Sequence, residues 1–484
     1  MNISIILRVI SLVCFVVSLF MLPSMCISLI DGTDDASAFF LSTVTGIVLS
    51  TGVLFTVSRK DRDNSMGIRE GVMITVFSWL SASFLGALPY KLSGRFAGYT
   101  DAFFETMSGF TTTGATILPE IETLPRGILL WRSVTHWLGG MGIIVLSLAV
   151  LPFLGVSGME MYKAEVPGVT AGKLTPRLHD TALYLWGMYI LLTVVEAVLL
   201  MLGGMSIFDA VCHSFSTIAT GGFSTKNASI AYFDSAYIQW VITVFMFLSG
   251  VNFSLYFLIP SGKLGEILAD EELRGYCVII VTAVLGIMLS LYRAGMFEDF
   301  GRMLRHTVFT VVSVITTTGF IVEDFDYWPD FSRFIILMIM FIGASGGSTG
   351  GGFKVSRIII IFRNMTAEIN KLLHPRAIIY PRLNGKIIPS STLNSSTAFL
   401  TLYIMLLIGG TLISAAFGLD FMSAVSGTLT CISNVGPGFN RLGSVEHFGF
   451  LPDAVKWVYS FCMLAGRLEL FAVFLVLTPK TYRR

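Results

Sequence analysis

The sequence predicts an all-α polytopic membrane protein of ten transmembrane helices: a two-helix prefix followed by four pseudo-repeated helix–loop–helix units. Three observations carry this expectation. The chain is 54% hydrophobic and 13% charged over 484 residues, where an ordinary soluble domain has about 25% charged residues. Ten apolar stretches approach the roughly 20 residues that cross a hydrocarbon core as helix. Four short Thr/Gly segments recur between those stretches, at Thr111–Gly114, Ala219–Gly222, Thr316–Gly319 and Asn434–Pro437.

The apolar stretches lie at 4–30, 39–57, 70–90, 128–153, 181–203, 236–260, 276–292, 333–362, 396–417 and 455–478. The first is too long for the apolar region of a signal peptide and has no obvious small-residue cleavage site, so it reads as a retained span. Positive charge is unevenly distributed between the loops. Arg59, Lys60, Arg62 and Arg69 share one loop and Lys163, Lys173 and Arg177 another. Lys354, Arg357, Arg363, Lys371, Arg376, Arg382 and Lys386 form the strongest basic stretch, and Lys480, Arg483 and Arg484 close the chain. In a ten-span arrangement all four groups fall on one side, and Asp31, Asp34, Asp35, Glu120, Glu122, Glu323, Asp324 and Asp326 fall opposite. Basic loops stay in the cytoplasm, so both termini are expected there. Net charge near +1 argues against a nucleic-acid partner. Six scattered cysteines lack metal-ligand spacing and read as small core residues.

With residues 1–68 as the prefix, the remaining helices pair into four units at 69–180, 181–274, 275–394 and 395–484. Each brackets one Thr/Gly loop, and Gly114, Gly222, Gly319 and Gly436 are separated by 108, 97 and 117 residues. Regular internal spacing marks a repeated unit. About twelve residues precede each loop, enough for a half-length helix but too few to span. Asp101, Asp209 and Asp420 open three of these segments and suit N-cap positions; in the third, Phe309 follows His306. A half-helix directed inward points its partly negative C-terminus at the membrane centre, which favours a cation there. Irregular backbone at that depth survives only when buried or lining a wet cavity. Four such loops on one axis make a central pore whose main-chain carbonyls replace the water around a cation. Either Gly221 or Gly222 aligns with the single glycine of the other loops.

The stretches Ser108–Thr116, His213–Ser224 and Gly343–Lys354, set within this repeat, resemble the Trk/Ktr family of bacterial potassium uptake proteins. The two-helix prefix resembles that of its TrkH-type membrane subunit, and the likeness covers essentially the whole chain. It implies four linked potassium-channel pore modules in the inner membrane. The selectivity filter would be Thr111, Thr112, Thr113, Gly114, Ala219, Thr220, Gly221, Gly222, Thr316, Thr317, Thr318, Gly319, Asn434, Val435 and Gly436. Potassium would be held there by carbonyls and is the transported ion; no organic cofactor is expected on this chain. The fourth loop departs from the pattern, with Asn434–Val435 for Thr–Thr and Pro437 after the glycine. The resemblance also implies a homodimer and a nucleotide-binding TrkA-like cytoplasmic partner.

The stretch 333–362 cannot be one helix, because thirty residues would reach about 45 Å against a hydrocarbon core of about 30 Å. Its centre holds Gly343, Gly346, Gly347, Gly350, Gly351 and Gly352 before Lys354, and each interior glycine costs a helix about 1 kcal/mol. A mobile loop below the filter that blocks a cavity is one reading; a close-packing glycine segment is the other. Arg467 lies inside the last apolar stretch, where a charge is costly. It is expected either to face the pore and repel cations, bonding the glycine loop, or to form a structural ion pair with another helix. Glu469, two positions on, would not share its helix face. The basic loop 354–386 and the tail 480–484 serve as partner docking surfaces or as topology signals alone.

Two alternatives to permeation remain at this level. An alternating-access symporter of K⁺ with H⁺ or Na⁺ would show two inverted repeats, which four units in one orientation do not match. An intramembrane serine hydrolase is suggested only by Gly343-Ala-Ser345-Gly-Gly347, which lacks the strand–turn–helix setting of a nucleophile. His136 and His213 are its only candidate bases within apolar surroundings. The glycine run also lacks the Gly-Lys-Ser/Thr ending of a phosphate loop. No enzyme activity is expected.

Overall fold

The computed structural model describes residues 2–57, 67–142, 178–260 and 262–479. Six helices or kinked helix pairs among them are long and apolar enough to cross a membrane: Ile3–Asp31, Asp35–Thr56, Ile68–Leu92, Thr181–Leu202, Glu271–Ala294 and Ser390–Ala416. Two are kinked next to a proline. Ile3–Phe20 passes into Leu22–Asp31 at Pro23, and Ile68–Gly86 into Leu88–Leu92 at Pro89. Proline fits a first helical turn but not an interior. Glu271–Ala294 shows the local signals cleanly. Asp270 accepts the Leu273 N–H at 2.8 Å, and Gly295 ends the helix at φ 63°, a left-handed position that suits glycine.

The spanning helices divide by burial. Five bury between 22% and 44% of their apolar window, whereas Ile68–Leu92 buries 72%. That helix therefore lies inside, packed between the prefix helices and the rest. The others turn residues such as Val48, Phe55, Val278, Leu285, Met405 and Leu412 outward, as a lipid-facing surface requires.

Three of the other four expected spans are broken helices, and the described part of 128–153 is helical to Gly140. Arg126–Gly140, Ala236–Ser249, Asp330–Ile342 and Asp453–Arg467 have 15, 14, 13 and 15 residues. Such helices reach only about 20–23 Å. Beyond the break the second continues as the turn Phe253–Tyr256, and the third resumes as Val355–Leu373 after twelve non-helical residues. The fourth turns through 119° into Phe471–Leu477. The break in 333–362 follows from its length; those in 236–260 and 455–478 do not, because hydropathy counts residues and is blind to continuity.

Four short helices precede the Thr/Gly loops: Tyr99–Phe110, Ile207–Ile218, Phe300–Ile315 and Phe421–Ser433. Each is followed, after its loop, by one of the four 13–15-residue helices. The expected caps hold in part. Asp420 is an N-cap, accepting Ser423 N–H at 3.1 Å. In the second unit the cap is Ser206, with Asp209 one turn inside and hydrogen-bonded to it. Asp101 also lies in a first turn and pairs with Lys456 Nζ at 2.6 Å. The third cap is Asp299, which accepts the N–H groups of Gly301 and Arg302 at 3.1 and 2.8 Å. Those two bonds hold the exposed Asp299 carboxyl below its ordinary pKa.

A two-residue hairpin, Arg382–Leu383 paired with Lys386–Ile387, interrupts the all-helical pattern. Its turn Asn384–Gly385 has positive φ at both residues, as a type I′ turn demands. Asn384 anchors it on Asp270 and Glu271. The charge pattern also needs correction. Lys354 and Arg357, counted with the basic loop, are 2% and 6% exposed and lie in the core. Arg59, Lys60, Arg62, Lys163, Lys173, Arg177, Lys480, Arg483, Arg484 and the end of the 128–153 stretch fall outside the described residues.

Candidate functional site

Each short helix ends in the same way. Thr112, Thr220, Thr317 and Asn434 take left-handed backbone at φ 54°, 54°, 59° and 58°. The following N–H then donates back five residues: Thr113 to Ser108, Gly221 to Ser216, Thr318 to Ser313 and Val435 to Thr430, at 2.8–3.0 Å. This is a Schellman C-cap, ordinarily built on glycine. Three threonines hold it here against the left-handed preference, at about 1–2 kcal/mol each. Asn434 tolerates the conformation better, which explains the fourth loop's departure in part.

This register defines loops 1 to 4 as 111–114, 219–222, 316–319 and 433–436. Ser433 takes the first position of loop 4, and Pro437 lies beyond its glycine. The alignment in loop 2 is also resolved. Gly222 has φ 83°, like Gly114, Gly319 and Gly436 at 79°, 75° and 103°, whereas Gly221 is not in the left-handed region.

The four glycines close a ring. A β-carbon on Gly114 would press on the Gly221 carbonyl oxygen, one on Gly222 on Thr318 O, and one on Gly319 on Val435 O. On Gly436 it would lie 2.6 Å from Thr113 O. Each loop therefore sets its third carbonyl against the glycine of the loop before it, in chain order, and the fourth returns to the first. A cavity of about 90 Å³ is lined by all four glycines, on the side where the chain leaves the loops. The hydroxyls of Thr111 and Thr113 are 2.8 Å apart, as are those of Thr316 and Thr318. Asn434 crosses between loops, its Nδ2 donating to Thr113 Oγ1 and Met463 O at 3.0 Å each.

Behind the ring, each exit strand is fastened to its own short helix. Glu105 accepts from Thr116 Oγ1 and Ile117 N–H at 2.9 and 3.0 Å, and His213 Nε2 meets Ser224 Oγ at 2.9 Å. Ser313 Oγ donates to Phe320 O at 2.7 Å, and Phe439 N–H to Ser426 Oγ at 2.9 Å. His136 bridges loops 1 and 2: its Nδ1 lies 2.7 Å from Gly109 O, and its Nε2 accepts from Phe223 N–H at 3.1 Å.

The glycine-rich stretch lies against the helical side of this ring. Phe353, Lys354 and Val355 donate to Phe341, Ile342 and Ala344, closing Gly343–Lys354 at its neck. Gly343 and Gly352 touch across that neck, so neither position has room for a side chain. Beside the neck, Gly351 N–H donates to Thr317 Oγ1 at 2.7 Å, and its α-carbon packs on Ser433 O. Ser345 N–H and Thr349 Oγ1 bond the broken end of Ala236–Ser249, at Gly250 O and Ser249 O. Buried Glu272 accepts Gly346 and Ser356 N–H groups at 2.6 and 3.0 Å. Lys354 Nζ bonds Gly350 O within the loop. The expected irregular segment is thus present, but as a heavily bonded loop rather than a loose strand.

Arg467 joins that loop to the ring. Its guanidinium donates to Thr349 O at 2.7 Å, Thr112 Oγ1 at 3.2 Å, Gly139 O at 2.6 Å and Gly140 O at 2.8 Å. One side chain so holds loop 1, the glycine loop and the C-terminal end of Arg126–Gly140. Glu469 lies past the end of Asp453–Arg467, at φ 56°, and pairs with Arg357. The sequence reading did not assign roles to Glu105, Arg132, Ser249, Glu272 or Glu469. Glu272 and Glu469 carried a signal, being acidic residues inside or beside apolar stretches.

Comparison with known proteins bears on these features together. The family model described as TrkH, cation transport protein, matches residues 36–270 and 276–481. The chain belongs to the TrkH family. A relative from Halomonas elongata, named Trk system potassium uptake protein TrkH, is 39% identical over the whole of both chains. The TrkH protein of Escherichia coli K12 is 38% identical over 93% of each. The crystal structure of the potassium transporter TrkH from Vibrio parahaemolyticus superposes with a TM-score of 0.89 at 36% identity, covering all of both chains. The TrkH family is one of cation transport proteins, so this chain is a membrane transport protein and not an enzyme. Accordingly, His136 and His213 are occupied by loops 1 and 2, and no described histidine bonds Ser345.

Proposed function

We propose that the protein carries K⁺ across a bacterial inner membrane through the ring of loops 1 to 4. Main-chain carbonyls of Thr112, Thr113, Thr220, Gly221, Thr317, Thr318, Asn434 and Val435 coordinate the bare ion, and the four glycines permit the close approach of neighbouring strands. Gly343–Lys354 is the gate: the plug blocks conduction while bonded to Thr317, and Arg467 both tethers it and sets a positive charge beneath the ring. The repeat units 69–180, 181–274, 275–394 and 395–484 surround this pore behind the prefix 1–68, with ten crossings if each broken helix is one. Both termini face the cytoplasm, where a TrkA-like nucleotide-binding partner engages a homodimer of the chain. The names of the Halomonas and Escherichia relatives support potassium as the ion.

One observation carries the reading: each loop's glycine abuts the next loop's third carbonyl, and the series closes on itself. Side chains that merely packed the helices together would not require four glycines in one cyclic order. An inside-negative potential supplies about 2.3 kcal/mol per charge per 100 mV, enough to drive uptake. The test is ⁸⁶Rb⁺ flux into liposomes holding the purified protein. K⁺ is expected to compete strongly and Na⁺ weakly; flux that needs a proton gradient and saturates like a carrier's would favour the symporter instead.

A further inference from the structure

The four exit strands are not braced equally. Directly behind loops 3 and 4 the fastenings are neutral hydroxyls, Ser313 on Phe320 and Ser423 and Ser426 on Phe439, and the ionisable pairs His306–Glu323 and Arg333–Asp326 lie further along the exits and are less buried. Loops 1 and 2 share an ion pair. Arg132 Nε meets Glu105 Oε1 at 2.9 Å, with the two side chains 1% and 0% exposed. Glu105 holds the loop 1 exit at Thr116 and Ile117. Arg132 reaches the same Thr116 Oγ1 at 3.3 Å and, on the other side, Ser224 O of the loop 2 exit at 3.1 Å. Its guanidinium also lies over the Phe223 ring, 4.1 Å from the centroid. One guanidinium and one carboxylate therefore fix the spacing of two adjacent quarters of the ring, at the level of the glycine cavity.

A buried ion pair is weak evidence of stability, since apolar replacements of the same volume often serve as well; its better use is to specify one geometry. Here the specified geometry is the separation of strands 114–117 and 222–224. We infer that Glu105 and Arg132 are positioning residues for ion discrimination: they hold loops 1 and 2 at the span that suits K⁺, and prevent the contraction that a smaller Na⁺ needs. This rests on the permeation reading and adds to it a source of selectivity outside the carbonyl ring.

The test uses the full chain in liposomes and reads a ratio that does not depend on the amount of active protein. It is the Na⁺ concentration that halves ⁸⁶Rb⁺ uptake, divided by the corresponding K⁺ concentration. A Glu105→Gln/Arg132→Gln double variant removes both charges without leaving either unpaired, and Thr116→Val removes the hydroxyl that touches both partners while keeping the pair. Loosening two of four strands is expected to lower the ratio by about tenfold in the double variant and about threefold in Thr116→Val. Glu105→Asp/Arg132→Lys, which keeps the charges, is expected to recover part of the loss. An unchanged ratio in both the double variant and Thr116→Val overturns the inference and leaves permeation standing. Absence of cation-selective flux in the wild-type protein overturns permeation itself. If the double variant fails to fold, Thr116→Val decides by the same criterion.

Discussion

Replacing Arg467 with alanine is expected to increase conduction. Of its four hydrogen bonds to described residues, the one that ties the glycine loop is Nη1 to Thr349 O at 2.7 Å. The others, to Thr112, Gly139 and Gly140, join elements that have no need to move when the plug withdraws. A hydrogen bond from a charged group contributes about 1.5–3 kcal/mol. If that bond exists only with the plug in place, its loss multiplies the open-to-closed ratio by about 10 to 150, at 1.4 kcal/mol per decade. Removing the positive charge beneath the ring acts in the same direction, because a cation entering that region no longer meets repulsion. Single-protein recordings in planar bilayers, or ⁸⁶Rb⁺ flux normalised to folded protein, would measure the change. Arg467→Lys should fall between wild type and Arg467→Ala, since one ammonium keeps the charge but cannot span three carbonyls. A folded Arg467→Ala protein with unaltered or reduced flux would refute both the tether and the barrier.

Three further outcomes follow from the geometry. Gly222→Ala should abolish Rb⁺ flux, because its β-carbon strikes the backbone of loop 3 at a left-handed φ. Gly221→Ala, without a left-handed φ, meets the His136 ring first rather than backbone and should retain part of it. Gly351→Ala drives a methyl into Ser433 O and Asn434; it should unseat the plug and raise flux severalfold, read in the same liposomes. Asp299→Ala should lower the melting temperature at pH 7 by removing the cap of Phe300–Ile315. With its folded pKa depressed, Asp299 stabilises above the ordinary carboxylate range and loses that effect as pH falls through the folded value. The gap between wild type and Asp299→Ala should therefore close on acidification, as followed by thermal melts from pH 7 to 3.

The loops were legible because their chemistry is local. Thr–Gly at the end of a half-length apolar segment states a C-cap and a turn within five residues, and regular spacing supplies the rest. Even the ambiguity in loop 2 was local, settled by which glycine takes positive φ. What stayed hidden depends on partners distant in the chain. Glu105 and Arg132 stand 27 residues apart and meet only once two helices pack. Lys354 and Arg357 looked like cytoplasmic charges because nothing nearby in sequence announces Glu469, 112 residues beyond Arg357. Asp299 was missed since the third segment lacks the Asp-Ala opening of the first two. The helix ends at Ser249 and Arg467 lie inside apolar runs. Gly250, just past the first, packs closely on Tyr276 and Thr316, and Gly466, in the last turn before the second, packs on the Ile432 carbonyl.

A single polypeptide supplies all four quarters of the ring, so each quarter answers to its own codons. Substituting one glycine alters a quarter of the ring, whereas in an assembly of identical subunits the same mutation would strike every quarter together. The quarters have already diverged: threonine pairs in two, Thr–Gly in another, Asn–Val in the last. If the ring conducts as proposed, selectivity and conductance are adjusted in small steps, and a graded series of one-, two- and three-quarter variants can be expressed as homogeneous protein.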